Sequence, residues 1–338
     1  MVKQEQELDN RPDNTAFTQQ RLPAWQPMLS AGIVIPGFVI IGLAFIGIGV
    51  ALFVTSRGIQ VKEIDYTGFE DDSPCFSCSA MNVKNCRCQV DFTIETLLEG
   101  PVFFYYGLSN YFQNYRRYGV SRDDDQLFGD LDHFKEPSED CDPYRYNNQT
   151  PIVPCGSVAN SMFNDTFKLF QIVNGRRNEV PLDGKGIAWW TDYNVKFRNP
   201  TVTPLRNAFN GTVKPINWPL PAYELDPTDP ANNGFINQDF LVWMRRAALP
   251  NFRKLYRRIT EGDYEQGLPA GNYSLEISYN YPVLDFDGRK TVVFSNVSWM
   301  GGKNDFLGIA YLVIGSLCVF MSLVMLIVYA KFKFPEEE

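Results

Sequence analysis

Two long stretches without a charged residue constrain this chain more than any other feature. No Asp, Glu, Lys or Arg occurs between Arg21 and Arg57, and the apolar core of that stretch, Leu29 to Val54, reads LSAGIVIPGFVIIGLAFIGIGVALFV. None occurs between Asp305 and Lys331, where the sequence reads FLGIAYLVIGSLCVFMSLVMLIVYA. About 20 apolar residues in a helix cross the hydrocarbon layer of a bilayer, and each stretch exceeds that. A buried helix of a soluble protein of this length would carry a polar face. The first stretch is too long for the core of a signal peptide and has no basic segment directly before it, so it reads as an uncleaved signal-anchor. Trp25, and Trp299 with Tyr311, suit anchoring at membrane interfaces.

Two spans place both termini on one side. The expected organisation is a tail over 1–28, a transmembrane helix over 29–54, one ectodomain over 55–305, a second transmembrane helix over 306–330 and a tail over 331–338. Lysines and arginines flank both sides of the spans and do not set the orientation. The net charge of −8 argues against nucleic acid as the main partner, because phosphate binding needs clustered cations.

Residues 75–88 read CFSCSAMNVKNCRC, four of seven cysteines in fourteen residues. The spacing suits a zinc knuckle or a pair of disulfides; zinc favours two C-x2-C pairs with a longer gap, and here the second pair is C-x-C. Cys318 lies in the second span, which leaves an even six in the ectodomain: Cys75, Cys78, Cys86, Cys88, Cys141 and Cys155. Five N-x-S/T sequons, at Asn148, Asn164, Asn210, Asn272 and Asn296, all fall between the spans. Cysteines and sequons together place the ectodomain in an oxidising lumen or outside the cell, with cytosolic tails and with disulfides rather than zinc. Six cysteines allow fifteen pairings; proximity favours pairing the first four among themselves, leaving Cys141 with Cys155.

Within the ectodomain, YSLEISYNYPV alternates: Tyr273, Leu275, Ile277, Tyr279 and Tyr281 share one face, the period of a half-buried strand. Asp287-Gly288 signals a turn, with TVVFSNVSW as the return strand. VDFTIETLLEGPVFFYYGL reads as two strands around a Glu99-Gly100-Pro101 turn. SNYFQNYRRY is expected as a short helix capped by Ser109, and INQDFLVWMRRAAL as another. NFRKLYRRI places Phe252, Leu255, Tyr256 and Ile259 at helical spacing, with Arg253, Lys254, Arg257 and Arg258 opposite: an amphipathic helix with a basic face toward solvent, a partner or lipid headgroups. Residues 120–235, rich in Pro, Asn and Asp, read as long loops. The expected fold class is α+β: two transmembrane helices plus a mainly antiparallel, disulfide-stapled β ectodomain with helical insertions.

No catalytic constellation stands out. The single histidine, His133, sits in an acidic loop. G-x-S-x-G, H-E-x-x-H, the phosphate-loop pattern and the dinucleotide fingerprint are all absent from the sequence. Asp123, Asp124 and Asp125 read as a solvated turn beside Arg116, Arg117 and Arg122. No catalytic residue, cofactor or metal is expected, and the chain reads as a non-enzymatic membrane subunit. In the spans, Gly42 and Gly49 are seven apart, as are Gly308, Gly315 and Ser322; seven residues is nearly two helical turns, so each set forms a stripe that permits close backbone approach.

The blocks PDNTAFTQQRLPAWQP, EIDYTG, YYGLSNYFQNYRRY, SRDD, PCGSVANSMFND, GIAWWTDYNVKFRNP, GFINQDFLVWMRRAALPNFRKLYR and SWMGGKNDFLGIAY together resemble the cell cycle control protein 50 family, also called the transmembrane protein 30 family. The wording of FTQQRLPAWQP and FINQDF and the acidic C-terminus resemble the B paralogue more than the A. The resemblance implies an accessory β-subunit of a lipid flippase. Its partner would be the α-subunit of a type-IV P-type ATPase, which moves aminophospholipids, notably phosphatidylserine, to the cytosolic leaflet. The subunit would be needed for departure from the endoplasmic reticulum and for activity, and the pair would work in the endoplasmic reticulum, Golgi and plasma membrane. It also implies an ectodomain like an asymmetric antiparallel β-sandwich and nested bridges Cys75–Cys88 and Cys78–Cys86 beside Cys141–Cys155. A family sequon expected shortly after the fourth cysteine is missing, with Asp91 in its place; Asn164 matches one. The alternative readings are a channel-type subunit, a class that shares two spans and a disulfide-bonded ectodomain, and a cell-surface adhesion glycoprotein.

Overall fold

The computed structural model describes residues 13–24, 29–71, 73–80 and 86–332; Trp25 and the tail residues 1–12 and 333–338 lie outside them. The chain forms two units, one of residues Met1–Phe53 with Asp305–Glu338 and one of Val54–Asn304. The α-helices, in chain order, are α1 (Ala31–Arg57), α2 (Phe76–Ala80), α3 (Arg116–Val120), α4 (Asp124–Leu127), α5 (Asp132–Lys135), α6 (Ser157–Asn160), α7 (Gln238–Met244) and α8 (Asp305–Phe332). The strands are β1 (Val61–Asp65), β2 (Cys86–Ile94), β3 (Leu98–Glu99), β4 (Val102–Leu108), β5 (Tyr146–Asn147), β6 (Thr150–Pro151), β7 (Thr166–Val173), β8 (Arg176–Glu179), β9 (Phe252–Ile259), β10 (Gly267–Leu268), β11 (Gly271–Tyr279) and β12 (Lys290–Ser295).

In the larger unit two four-stranded antiparallel sheets face each other, in the orders β1-β12-β4-β9 and β2-β11-β7-β8. Alternation explains the inner faces. Val102, Phe104, Tyr106 and Leu108 of β4 and Val292 and Phe294 of β12 are buried; across from them lie Tyr273, Leu275, Ile277 and Tyr279 of β11 and Phe167 and Leu169 of β7. Aromatic rings knit the sheets: Phe104 meets Phe167 at 5.3 Å, and Phe92 meets Phe294 at 5.5 Å. The β-sandwich expected from the resemblance is present, and the alternation read in YSLEISYNYPV is the inner face of β11.

Several local readings are corrected. NFRKLYRRI is not a helix but strand β9, on the edge of the first sheet beside β4. Phe104 pairs with Arg257 and Tyr105 with Leu255, so Tyr256 is the extra residue of a β-bulge. The bulge shifts the alternation by one residue midway, and a period of two with one slip produces the 252/256/259 spacing that resembles a helix. Lys254 and Arg257, expected on a solvent face, stand opposite Tyr106 and Phe104 on the inner one. Pairing with β4 outweighs the helical pattern.

The two anticipated hairpins do not form. β11 and β12 belong to different sheets, as do β2 and β4. Asp287, in the left-handed region at φ 51°, and the Gly100-Pro101 segment serve as crossings between layers. Ser109 caps no helix: α3 begins seven residues later, after Tyr115, and the Ser109 hydroxyl accepts from the Arg289 amide. INQDFLVWMRRAAL does contain a helix, α7, whose N-cap Asn237 accepts from Phe240 N–H.

Residues 120–235 are more than loops. They supply β7 and β8, and most of a second core in which Phe134, Val153, Val158, Phe209, Trp218 and Phe235 pack with Phe240 and Leu241 of α7. The alternation of Phe167 and Leu169 in TFKLFQIV was the available signal for β7.

In the smaller unit, α1 and α8 are both long and apolar enough to cross a membrane, and most of their side chains face away from the protein.

Candidate functional site: close-packed spans, staples and buried cations

The small-residue positions of the spans come together. A Cβ on Gly42 would lie 2.8 Å from Val319 Cγ2 and 3.0 Å from the Gly315 carbonyl oxygen; one on Gly315 would lie 2.8 Å from the Gly42 oxygen. Gly49 faces Leu312, and Gly308 faces the Phe53 backbone. Ser322 continues the stripe, buried, its hydroxyl donating to Val319 O at 2.6 Å. Gly32, Gly37 and Gly47 meet nothing within 4 Å. The closest approach of the helices thus runs along one glycine-rich seam, as small residues in membranes permit.

The ectodomain cysteines are bridged as Cys75–Cys88, Cys78–Cys86 and Cys141–Cys155. The first two rivet α2 and the residue before it to β2, the edge strand of the second sheet. The third ties the turn ending at Cys141 to the residue just ahead of Gly156 and α6. No ectodomain cysteine is left as a thiolate for zinc; Cys318 is the free one.

Asn148, Asn210 and Asn272 are exposed. Asn272 sits on the outer side of β11 opposite Thr93, whose hydroxyl donates to its side chain. Asn296 is half-buried, its amide oxygen accepting from Gln60 N–H at 2.9 Å. Asn164 is half-buried with its side-chain oxygen enclosed and unpartnered, at a cavity of about 200 Å³ lined by Trp218, Pro219, Leu225 and Arg257.

Three buried charged centres were not legible as sites. Lys290 occupies an inward position of β12 and is fully buried against Asp165, Nζ to Oδ2 2.8 Å. The ammonium also donates to Tyr281 O and lies 3.0 Å from the Tyr279 ring centroid. Asp165 accepts in addition from Tyr66 Oη and from the amides of Asn280 and Tyr281, so every lone pair is used. Burial pushes the Lys290 ammonium down to about 8, against the pull of Asp165.

Lys254, on the inner face of β9, donates to three carbonyls, Val242 (3.0 Å), Trp243 (2.8 Å) and Arg245 (2.7 Å), where α7 ends. A helix C-terminus leaves such carbonyls without partners and favours a cation. Burial pushes this ammonium down to about 7. Asp123, expected in a solvated turn, is buried: it N-caps α4 through Gln126 N–H and bonds the His133 ring. No local pattern marks Lys290, Lys254 or Asp123 as buried, because each is enclosed by residues far away in sequence or by an irregular turn.

A cleft of about 830 Å³ is lined by Arg122, Asp125, Asp192, Lys196, Arg245 and Arg246 among others. Its charges largely neutralise one another: Asp192 pairs with Lys196 and Arg245, and Arg122 with Asp124.

The sequence comparisons agree with one another. Residues 52–335 match the family described as LEM3 (ligand-effect modulator 3) family / CDC50 family. The chain is 59% identical to cell cycle control protein 50A of Bos taurus, over 96% of this chain and 90% of that one. It is 54% identical to cell cycle control protein 50B of Homo sapiens, over 97% and 96%. ALA-interacting subunit 3 of Arabidopsis thaliana is 38% identical over 94% and 86%. The identities to the A and B proteins are of similar size and do not single out the B paralogue to which three segments pointed. With matches that run nearly from end to end, the chain belongs to the CDC50/LEM3 family.

Proposed function

We propose that this chain is the non-catalytic accessory β-subunit of a type-IV P-type ATPase lipid flippase. It would form a heterodimer with the ATPase α-subunit, and would be required for that subunit's exit from the endoplasmic reticulum, its stability and its activity. The ATPase would move aminophospholipids such as phosphatidylserine to the cytosolic leaflet. The observation that carries this reading is membership of the CDC50/LEM3 family, in which a plant relative is named an interacting subunit. The geometry is compatible with it. α1 and α8 hold each other through one seam and leave most of their apolar surface for lipid or a larger partner. The ectodomain is held together by two large hydrophobic cores and three bridges, which suits a surface that caps a partner. In this reading the ectodomain faces the lumen or cell exterior, both tails are cytosolic, and Asn148, Asn164, Asn210, Asn272 and Asn296 are glycan acceptors.

The test is co-expression of the tagged chain with a panel of flippase ATPases, followed by purification on the tag and assay of lipid-stimulated ATP hydrolysis and surface delivery. A stoichiometric complex that hydrolyses ATP only with this chain present is the expected result. If no ATPase co-purifies and the chain reaches the surface alone, the subunit reading is lost, and the two-span channel or adhesion classes take its place.

A further inference from the structure

The chain's one histidine occupies a built position. His133, on α5, places Nδ1 2.9 Å from Asp123 Oδ2 and Nε2 3.7 Å from Asp125 Oδ2. The first is a hydrogen bond; the second is an ion-pair distance beyond direct bonding. A neutral ring that donates from Nδ1 to Asp123 turns the lone pair of Nε2 toward the Asp125 carboxylate. A ring protonated on both nitrogens offers each carboxylate a donor. The titratable groups that face the ring are Asp123 and Asp125 of the α4 segment and Asp130 before α5, all carboxylates. Among the described residues neither Asp123 nor Asp125 is paired with a lysine or arginine. The Asp123 hydrogen bond, and then the charges of Asp123, Asp125 and Asp130, hold the imidazole above its ordinary range.

The surroundings connect this ring to the Cys141–Cys155 bridge at both of its ends. Asp123 Oδ2 also accepts from Ser138 N–H at 2.8 Å, and Ser138 opens the turn that carries Cys141. The buried side chain of Gln126 donates to His133 O (3.1 Å) and Ile152 O (3.3 Å) and accepts from Cys155 N–H (2.8 Å).

We propose that His133 is a proton-operated tie for the segment from Asp123 to Cys155. Carrying protons on both nitrogens it spans Asp123 and Asp125 and closes this hub; giving up the Nε2 proton to water, it keeps Asp123 and releases Asp125. The ring is about one-third exposed, so exchange with solvent is open. A histidine whose folded-state affinity for the proton exceeds its unfolded one contributes stability that is complete below about pH 6.5 and is lost as pH rises through the folded value. The hub is therefore tighter in an acidified compartment and looser at neutral pH.

A single histidine makes the test direct. The full-length glycoprotein, purified on a histidine-free tag in nanodiscs with EDTA, is labelled with [13Cε1]histidine and titrated by NMR. Hydrogen exchange of peptides covering 122–156 is followed in parallel at pH 5.5 and 7.5, corrected for intrinsic rates. The expected midpoint lies above 6.5 and falls in Asp125→Asn, a change at an exposed side chain. Protection of 122–141 is expected to be about threefold greater at the acidic pH in the native chain, and equal at both pH values in His133→Gln. A midpoint at or below 6.5, a pH difference that survives His133→Gln, or a titration that appears only when Zn²⁺ is added back would each overturn the proposal, the last in favour of a metal site.

Discussion

Lys290 Nζ lies 2.8 Å from Asp165 Oδ2, with both side chains at 0% exposure and a separation of 125 positions in sequence. One comes from β12 of the first sheet and the other from the residue before β7 of the second, so the pair is a polar rivet through a largely apolar core. Removing one partner of such a pair leaves a buried charge alone, at a cost of about 3–5 kcal/mol. Lys290→Met is expected to lower stability by that order, and Asp165→Asn by a similar amount. Lys290→Met combined with Asp165→Asn should cost less than the two singles added together. Thermal unfolding of the purified chain and its double-mutant cycle check this; additive costs would show that the pair is not coupled.

The Cys141–Cys155 bridge closes a loop that also contains the β5–β6 hairpin. Replacing both residues with serine is expected to cost about 2–4 kcal/mol. Because Cys155 N–H is held by Gln126 and the bridge is buried, the loss should spread to peptides around α4. Hydrogen exchange of the Cys141→Ser/Cys155→Ser chain measures it, and unchanged protection at α4 would contradict it.

The seam between α1 and α8 separates two kinds of glycine. At Gly42 and Gly315 even a Cβ meets backbone or branched side chains within about 3 Å. Gly315→Leu or Gly42→Leu is expected to force the helices apart and lower disulfide cross-linking between cysteines introduced across the seam. Gly37→Leu, at a position where an added Cβ meets nothing within 4 Å, should leave that cross-linking intact. Co-purification of the ATPase proposed as partner with each variant then distinguishes a seam needed for assembly from a face used in it.

Lys254 predicts a pH effect of definite sign. Burial lowers its proton affinity in the folded state to about 7, whereas an unfolded lysine holds its proton to about 10.4. Between those values the unfolded chain binds more protons, so this residue makes stability rise as pH increases from 7 toward 10. The native chain should gain melting temperature between pH 7 and 9 relative to Lys254→Met, which lacks the group. Parallel melting curves for the two chains would refute the assignment.

How much of this was readable beforehand follows the range of the interactions involved. The spans were legible because a run of apolar residues needs no partner to declare itself. The small-residue stripe on each was legible because residues seven apart share a helix face wherever the helix lies; that the two stripes meet was not. The face of β11 was legible from its period of two, and a helix was legible within INQDFLVWMRRAAL, where α7 lies. Disulfide chemistry followed from cysteine number and the company of sequons.

What only the tertiary structure decided depends on residues far apart. The assignment of β11 and β12 to different sheets, and the conversion of a helical pattern into β9, come from strand pairing, which local spacing does not encode. The second core gathers residues from Leu127 to Phe235, out of segments whose Pro and Asn content reads as loop, onto Phe240, Leu241 and Met244 of α7. Lys290, Lys254 and Asp123 look like surface charges because charge normally stays in water. Burial of each is tolerated only where the fold brings acceptors to it: a carboxylate 125 residues away, three carbonyls at a helix end, and the amides of a turn. Local sequence thus determined the two membrane-spanning helices and marked the cysteines that are bridged, while the sandwich, its buried charges and the setting of its one histidine exist only once distant backbone groups are in place.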